Sequence, residues 1–344
     1  MPKSVSLGEH IVVEPDRVAA LYDAAREAGA ALPVLCTEHP WMTQAAVAAV
    51  DEMAGELGLS TVPAIISATG HYEGRAQLPD YTPGADKTST DPGVLGLDQM
   101  IWDLDRALER TSSRVLAMTH LDHAHPERDA AIIEYGLEHG LFSTIMYDCS
   151  HLPLDENLRM TRAFVERTRG RCLVEGIVDQ IFEAGAGEIQ DKLTEVEDAV
   201  RYCREVEPFL IVANLGTEHR ASLRDYKPEY HPERAIAITE ALGRKMLCLH
   251  GTSCLGDQGL QRLKDDGIIK VNVWTKMERD AASALAEYVQ RHWEQIVDKP
   301  SLDWFPLNRM RDTWMRAVKG VMRDYMLAFG YAGLRGVQPA LDAI

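Results

Sequence analysis

One pattern recurs along the chain: a short run in which nearly every position is apolar, then polar loop residues, then apolar positions at helical spacing. The runs lie near Leu32–Cys36, Pro63–Ser67, Val115–Met118, Thr144–Tyr147, Cys172–Val174, Phe209–Ala213, Met246–Leu249 and Ile268–Val273. Consecutive apolar positions mark strands covered on both faces, as in parallel sheets, whereas half-exposed strands alternate. Helical stretches follow, among them Thr43–Leu57, Pro126–Glu138, Asp155–Thr168, Thr194–Glu205 and Glu278–Gln295. Gly140, Gly170, Gly243 and Gly267 stand where a left-handed residue ends a helix. Eight such units predict an α/β fold, a single (β/α)8 barrel over residues 1–344. A doubly wound sheet is the alternative, and the regularity of the units favours closure.

Two additions to the barrel are expected. An extra N-terminal helix spans Pro15–Ala28, and a C-terminal helical extension covers 300–344. In that tail Leu307, Met310, Trp314, Val318, Val321, Met322, Tyr325 and Phe329 recur at helical spacing, which fits packing on the barrel or a subunit interface. Its excess of arginine and lysine between 308 and 324 hints at an acidic neighbour. After strand 2, residues 71–92 are rich in Gly, Pro, Thr and Asp and read as a long loop, a form that lids and rims often take.

Composition narrows the function classes. The chain has 344 residues, 36 Lys plus Arg and 53 Asp plus Glu, for a net charge of −17. Such an acidic surface repels phosphate backbones, so no nucleic-acid partner is expected. No apolar run approaches membrane-spanning length, so no membrane partner is expected either. Met1–Glu9 lacks an apolar stretch, so no secretory signal is expected. The six cysteines form no CxxC pair and mostly sit in apolar runs, which fits reduced thiols and a cytoplasmic setting.

Histidine position carries the chemistry. Of twelve histidines, those at 39, 71, 120, 123, 125, 151, 219 and 250 fall just after an apolar run. In a barrel this is the C-terminal face, where loops build active sites. The sharpest blocks are His120–Leu121–Asp122–His123, Gly216–Thr217–Glu218–His219 and Leu249–His250–Gly251–Thr252–Ser253. Imidazoles from three strand ends can hold a zinc-like ion with an open coordination position, where it acts as a Lewis acid on a carbonyl. Asp122 would lie beside it, placed to move a proton. Asn272 and Thr275, with Gly251 and Ser253, occupy the loops after strands seven and eight, which in such barrels often cradle an anion. Gly185–Ala186–Gly187 lacks the third glycine of a dinucleotide loop, and Ser253 lacks the flanking glycine of a nucleophile elbow.

These motifs resemble the class II, metal-dependent fructose-bisphosphate or ketose-bisphosphate aldolase family, of which this chain looks like a divergent member. The likeness runs from about Val115 to Met277. It rests on the His120–His123 block, Ile145–Pro153 with Glu156–Asn157, Val174–Glu175–Gly176, Gly216–His219, and Leu249–His250–Gly251 followed by Val271–Asn272. The resemblance implies a lyase that makes or breaks the carbon–carbon bond next to the ketone of a phosphorylated or otherwise anionic ketose, through a metal-stabilised enediolate. It implies His123, His219 and His250 as ligands of Zn2+ or another divalent metal, Asp122 as the proton-transfer residue, and Asp148 as an acid near the metal. It implies Gly251, Ser253, Asn272 and Thr275 around the ketose half, a small-molecule ketose or aldehyde partner, and a homodimer or homotetramer.

The departures concern the substrate walls. Gly251–Thr252–Ser253–Cys254 replaces the family's Gly-Gly-Ser-Gly, and Trp274 replaces an aspartate. Arg220 replaces a glycine, and Ile177 replaces a second acid. A non-standard substrate is therefore expected, with Arg220 and Arg224 as candidate ligands of its carboxylate or phosphate. Two alternatives stand: a metal-dependent hydrolase or isomerase on the same barrel, and a non-catalytic aldolase-like protein.

Overall fold

The computed structural model describes residues 7–72, 74, 77–84, 87, 89–181, 193–220, 229–299 and 306–344. Arg224 and Gly185–Gly187 lie outside the described residues. Eight parallel strands pair in sequence order, and the first meets the eighth to close a barrel. They are β1 (Leu32–Cys36), β2 (Thr61–Thr69), β3 (Arg114–Ala124), β4 (Thr144–Tyr147), β5 (Leu173–Ile177), β6 (Leu210–Val212), β7 (Leu247–Leu249) and β8 (Ile268–Val273). Closure aligns Val34 with Asn272. The strands are buried along nearly their whole length, as the uninterrupted apolar runs require.

Helices cover the outside. They are α1 (Pro15–Glu27), α2 (Pro40–Leu57), α3 (Gln77–Tyr81), α4 (Pro92–Leu108), α5 (Ala130–Glu138), α6 (Leu154–Thr168), α7 (Val196–Val206), α8 (Pro232–Leu242), α9 (Asp257–Arg262), α10 (Thr275–Arg291), α11 (Pro306–Ala328) and α12 (Gln338–Asp342). Side-chain caps decide where several begin. His39 Nδ1 accepts from Met42 N at 3.2 Å and Pro40 follows it, so α2 starts ahead of the expected Thr43. Asp91 Oδ1 accepts from Gly93 N and Val94 N and sets the start of α4. Conversely, α5 starts four residues after the expected Pro126. His125 Nδ1 takes the N–H groups of Glu127 and Arg128, and the buried Asp129 carboxylate takes those of His71 and His125. These bonds hold 126–129 as a turn in competition with helix.

Within 71–92 lies the short α3, tied to the barrel end. Gln77 Oε1 accepts from Thr69 N at 2.8 Å, and the Tyr81 and Thr43 hydroxyls meet at 2.8 Å. On α11, Val318, Met322 and Tyr325 are buried against the barrel. Its basic side finds acids within the same chain: Arg323 pairs with Glu56 at 2.9 Å and Lys319 with Glu52 at 2.5 Å, both on α2.

Candidate active site

The end of β3 bends where the chemistry collects. The β3–β4 register shifts between Leu121 and Ala124, and His123 has a φ of 49°. Such a bulge re-aims a side chain. The ring of His123 thereby meets those of His219, after β6, and His250, after β7, with centroids 5.1 and 4.9 Å away. Their ligand atoms lie within 4.8 Å of one another, and all three residues are buried. Asp148 Oδ2 accepts from His123 Nδ1 at 2.8 Å. That fixes the tautomer so that His123 Nε2 presents a lone pair, and Nε2 of His123 and of His250 are buried with no hydrogen-bond partner among the described residues. Burial opposes ionisation of Asp148, but its bonds to His123 and Ser150 hold the carboxyl at about 2. Burial also holds His250 down at about 4, so it is neutral and ready to ligate. Three converging buried imidazoles, one of them oriented by a carboxylate, fit a divalent metal.

Asp122 lies beside the triad, 1% exposed. Burial opposes its ionisation, but the neighbouring histidines, His123 first, hold its carboxyl well below the usual carboxylate range. Its Oδ1 accepts from Asn272 Nδ2 at 2.9 Å, and Asn272 Oδ1 in turn accepts from Lys270 Nζ at 3.3 Å. Lys270 is wholly buried. It pairs with Glu175 Oε2 at 2.8 Å and donates to His120 Nε2 at 3.0 Å. Burial works against the ammonium and Glu175 overcomes it, so Lys270 stays charged. His120 then carries its proton on Nδ1 and gives it to Thr144 Oγ1 at 2.7 Å. A buried polar floor thus fixes the orientation of Asp122.

The remaining histidines of the face divide. His120 belongs to the floor, and His125 and His151 stack at 4.9 Å on the rim. His71 bonds to Asp129, and His39 caps α2. Sequence reasoning did not single out Lys270, whose signal is one charge inside Ile268–Val273. It also missed Tyr72, whose ring sits 4.9 Å from that of His123.

Two cavities flank the triad. The smaller, about 30 Å³, is lined among others by Asp122, Gly251, Ser253, Asn272, Trp274 and Thr275. Gly251 has a φ of 69°, and a Cβ there would stand 2.6 Å from Glu218 O. Only glycine fits that turn. The larger, about 380 Å³, is lined among others by Tyr72, His123, His125, Arg128 and Asp148. Arg220 borders both. It has a φ of 55°, its Nη2 donates to Gly74 O at 3.2 Å, and its guanidinium lies 5.8 Å from the Trp274 ring.

Residues 16–333 match the family model described as fructose-bisphosphate aldolase class-II. The chain belongs to this family. It is a metal-dependent aldolase, a carbon–carbon lyase, built on a TIM barrel. A fructose-bisphosphate aldolase of Streptococcus pneumoniae is 27% identical over 62% of this chain and 71% of its own length. A 6-phospho-5-dehydro-2-deoxy-D-gluconate aldolase of Shouchella clausii is 30% identical over 47% of this chain and 54% of its own. Among solved structures, the Campylobacter jejuni fructose-bisphosphate aldolase superposes with a TM-score of 0.69 at 20% identity, covering 96% of each chain. The YdjI aldolase of Escherichia coli K12 gives 0.63 at 19%, over 91% of this aldolase and 96% of its own chain.

Proposed function

We propose that this aldolase uses zinc held by His123, His219 and His250 to cleave or form the bond next to the ketone of an anionic ketose other than the family's usual one. The observation that carries this is the convergence of three buried imidazoles beside an oriented, ionised Asp122. Zinc there supplies Lewis acidity that stabilises negative charge on the ketone oxygen. Asp122 takes the hydroxyl proton on the aldehyde side of the bond during cleavage and returns it during synthesis. Asn272 donates to Asp122, so its carboxylate is held for that transfer. Gly251, Ser253, Asn272 and Thr275 surround the ketone half, and Arg220 binds an anionic group of the substrate.

The reading includes a homodimer or homotetramer. Trp41, Trp102 and Trp293, each about half exposed, support it. It places the protein in the cytoplasm, which its free cysteines favour. No helix among the described residues is long and apolar enough to cross a membrane. The test is to incubate the zinc-loaded protein with ketoses and identify products. A ketone plus an aldehyde, lost on chelation and restored by zinc, supports the reading. Hydrolysis or isomerisation without bond cleavage sinks it.

A further inference from the structure

The two sides of the triad differ in room and in charge, and the difference bears on which half of the substrate is charged. The ketone side is the tight one. About 30 Å³, room for about two waters, is far less than the 380 Å³ on the other side, which favours a hydroxymethyl group there over a phosphoester. Trp274 forms part of its wall, and Trp274 Nε1 donates to Glu38 Oε2 at 3.1 Å. Behind it, Glu38 faces Glu278 in the first turn of α10. A helix start otherwise attracts anions, but this acidic pair opposes one. Lys276, on the same wall, is taken up by Asp280. In the tight cavity Ser253 Oγ is buried with no hydrogen-bond partner among the described residues, as a partner for a ligand hydroxyl would be.

The other side is roomy and cationic. No carboxylate pairs with Arg128 among the described residues, and its side chain is exposed on the wall of the 380 Å³ cavity. His125 accepts two backbone N–H groups at Nδ1, so its neutral ring turns an Nε2–H donor away from the turn. Asp148, on the same wall, is engaged by His123 and Ser150. Arg220 holds a left-handed backbone that costs a non-glycine residue about 1 kcal/mol or more, a strain that points to function where it persists beside a site.

The geometry points to a substrate whose ketone half is short and unphosphorylated and whose aldehyde half ends in an anion, carboxylate or phosphate, held by Arg128 and Arg220. This rests on the aldolase reading above. Cleavage breaks one carbon–carbon bond. The hydroxyl proton passes to Asp122, the bonding pair goes to the ketone half, and a proton at that carbon completes the second product, so no further reactant is needed.

The experiment pairs two donors, dihydroxyacetone and dihydroxyacetone phosphate, with three acceptors: glyceraldehyde, glyceraldehyde 3-phosphate and the carboxylate-ended succinic semialdehyde. Wild type, Arg128→Ala and Arg220→Gly are compared, each loaded with zinc. Calorimetric binding of 3-phosphoglycerate and of glycerate, inert mimics of the anionic half, is read alongside. Expected are a preference for dihydroxyacetone and for an anionic acceptor. Each variant should raise KM for that acceptor and weaken binding of the matching mimic by roughly tenfold or more, with kcat much less affected. The two anionic acceptors distinguish carboxylate from phosphate. Preference for dihydroxyacetone phosphate, or unchanged mimic binding in Arg128→Ala, overturns the inference even if turnover proves the aldolase. Absence of turnover with every pair overturns the aldolase reading, and mimic binding then still decides whether the cationic wall holds an anion.

Discussion

The floor and the rim of this site are built on different principles. On the floor every charge is buried and pinned: Glu175, Lys270, His120, Asn272 and Asp122 form one continuous set of contacts. On the rim, Arg128 is exposed, Arg220 reaches across a loop, and Trp274 leans on Glu38. Buried networks hold geometry, because leaving any member unpaired costs more than in water. Exposed groups can change without unfolding the barrel. In the function proposed above, the floor therefore carries the chemistry, and the rim the choice of substrate.

The largest effects are expected at the histidine triad. His219→Ala and His250→Ala should lose turnover to background while the barrel stays folded, checked by product formation and circular dichroism. Asp122→Ala should keep the metal and lose about 10²–10⁴-fold in kcat. If it also empties the site, proton transfer and ligation have been assigned to the wrong residues. Lys270→Met leaves Glu175 as an uncompensated buried charge, so urea unfolding should show a loss of about 3–5 kcal/mol. A cost under about 1 kcal/mol would mean that the floor is not the rigid element described.

The rim prediction is smaller and depends on pH. Burial and the facing Glu38 carboxylate push Glu278 up to about 8 from 4.5. Between those values the folded chain keeps a proton that the unfolded chain releases. The stability involved is fully present below 4.5 and lost as pH rises through 8. Glu278→Gln should therefore raise the melting temperature more at about pH 8.5 than at about pH 5.5. An equal change at both would show that the pair does not share a proton.

Much of this architecture was legible because barrel strands are buried on both faces and so appear as unbroken apolar runs. The eight strands follow those runs, but β3 reaches Ala124, past the apolar Val115–Met118. Its polar end is where strand becomes site, and hydropathy reads that as loop. The three converging histidines stood out because they follow strands. Lys270 did not, and Glu175 was read only as part of a motif, since their pairing lies in a contact between β8 and β5. Arg128 was read as part of a helix, and only the side-chain bonds of His125 and Asp129 reveal the turn that presents it. The Arg220 substitution was visible, but the left-handed backbone it retains was not.

The most direct test is to measure the metal content of the zinc-loaded, dialysed protein beside His250→Ala. The expected result is about one zinc per chain in the wild type and almost none in the variant. A wild type that stays metal-free, or a variant that binds as well, would contradict it.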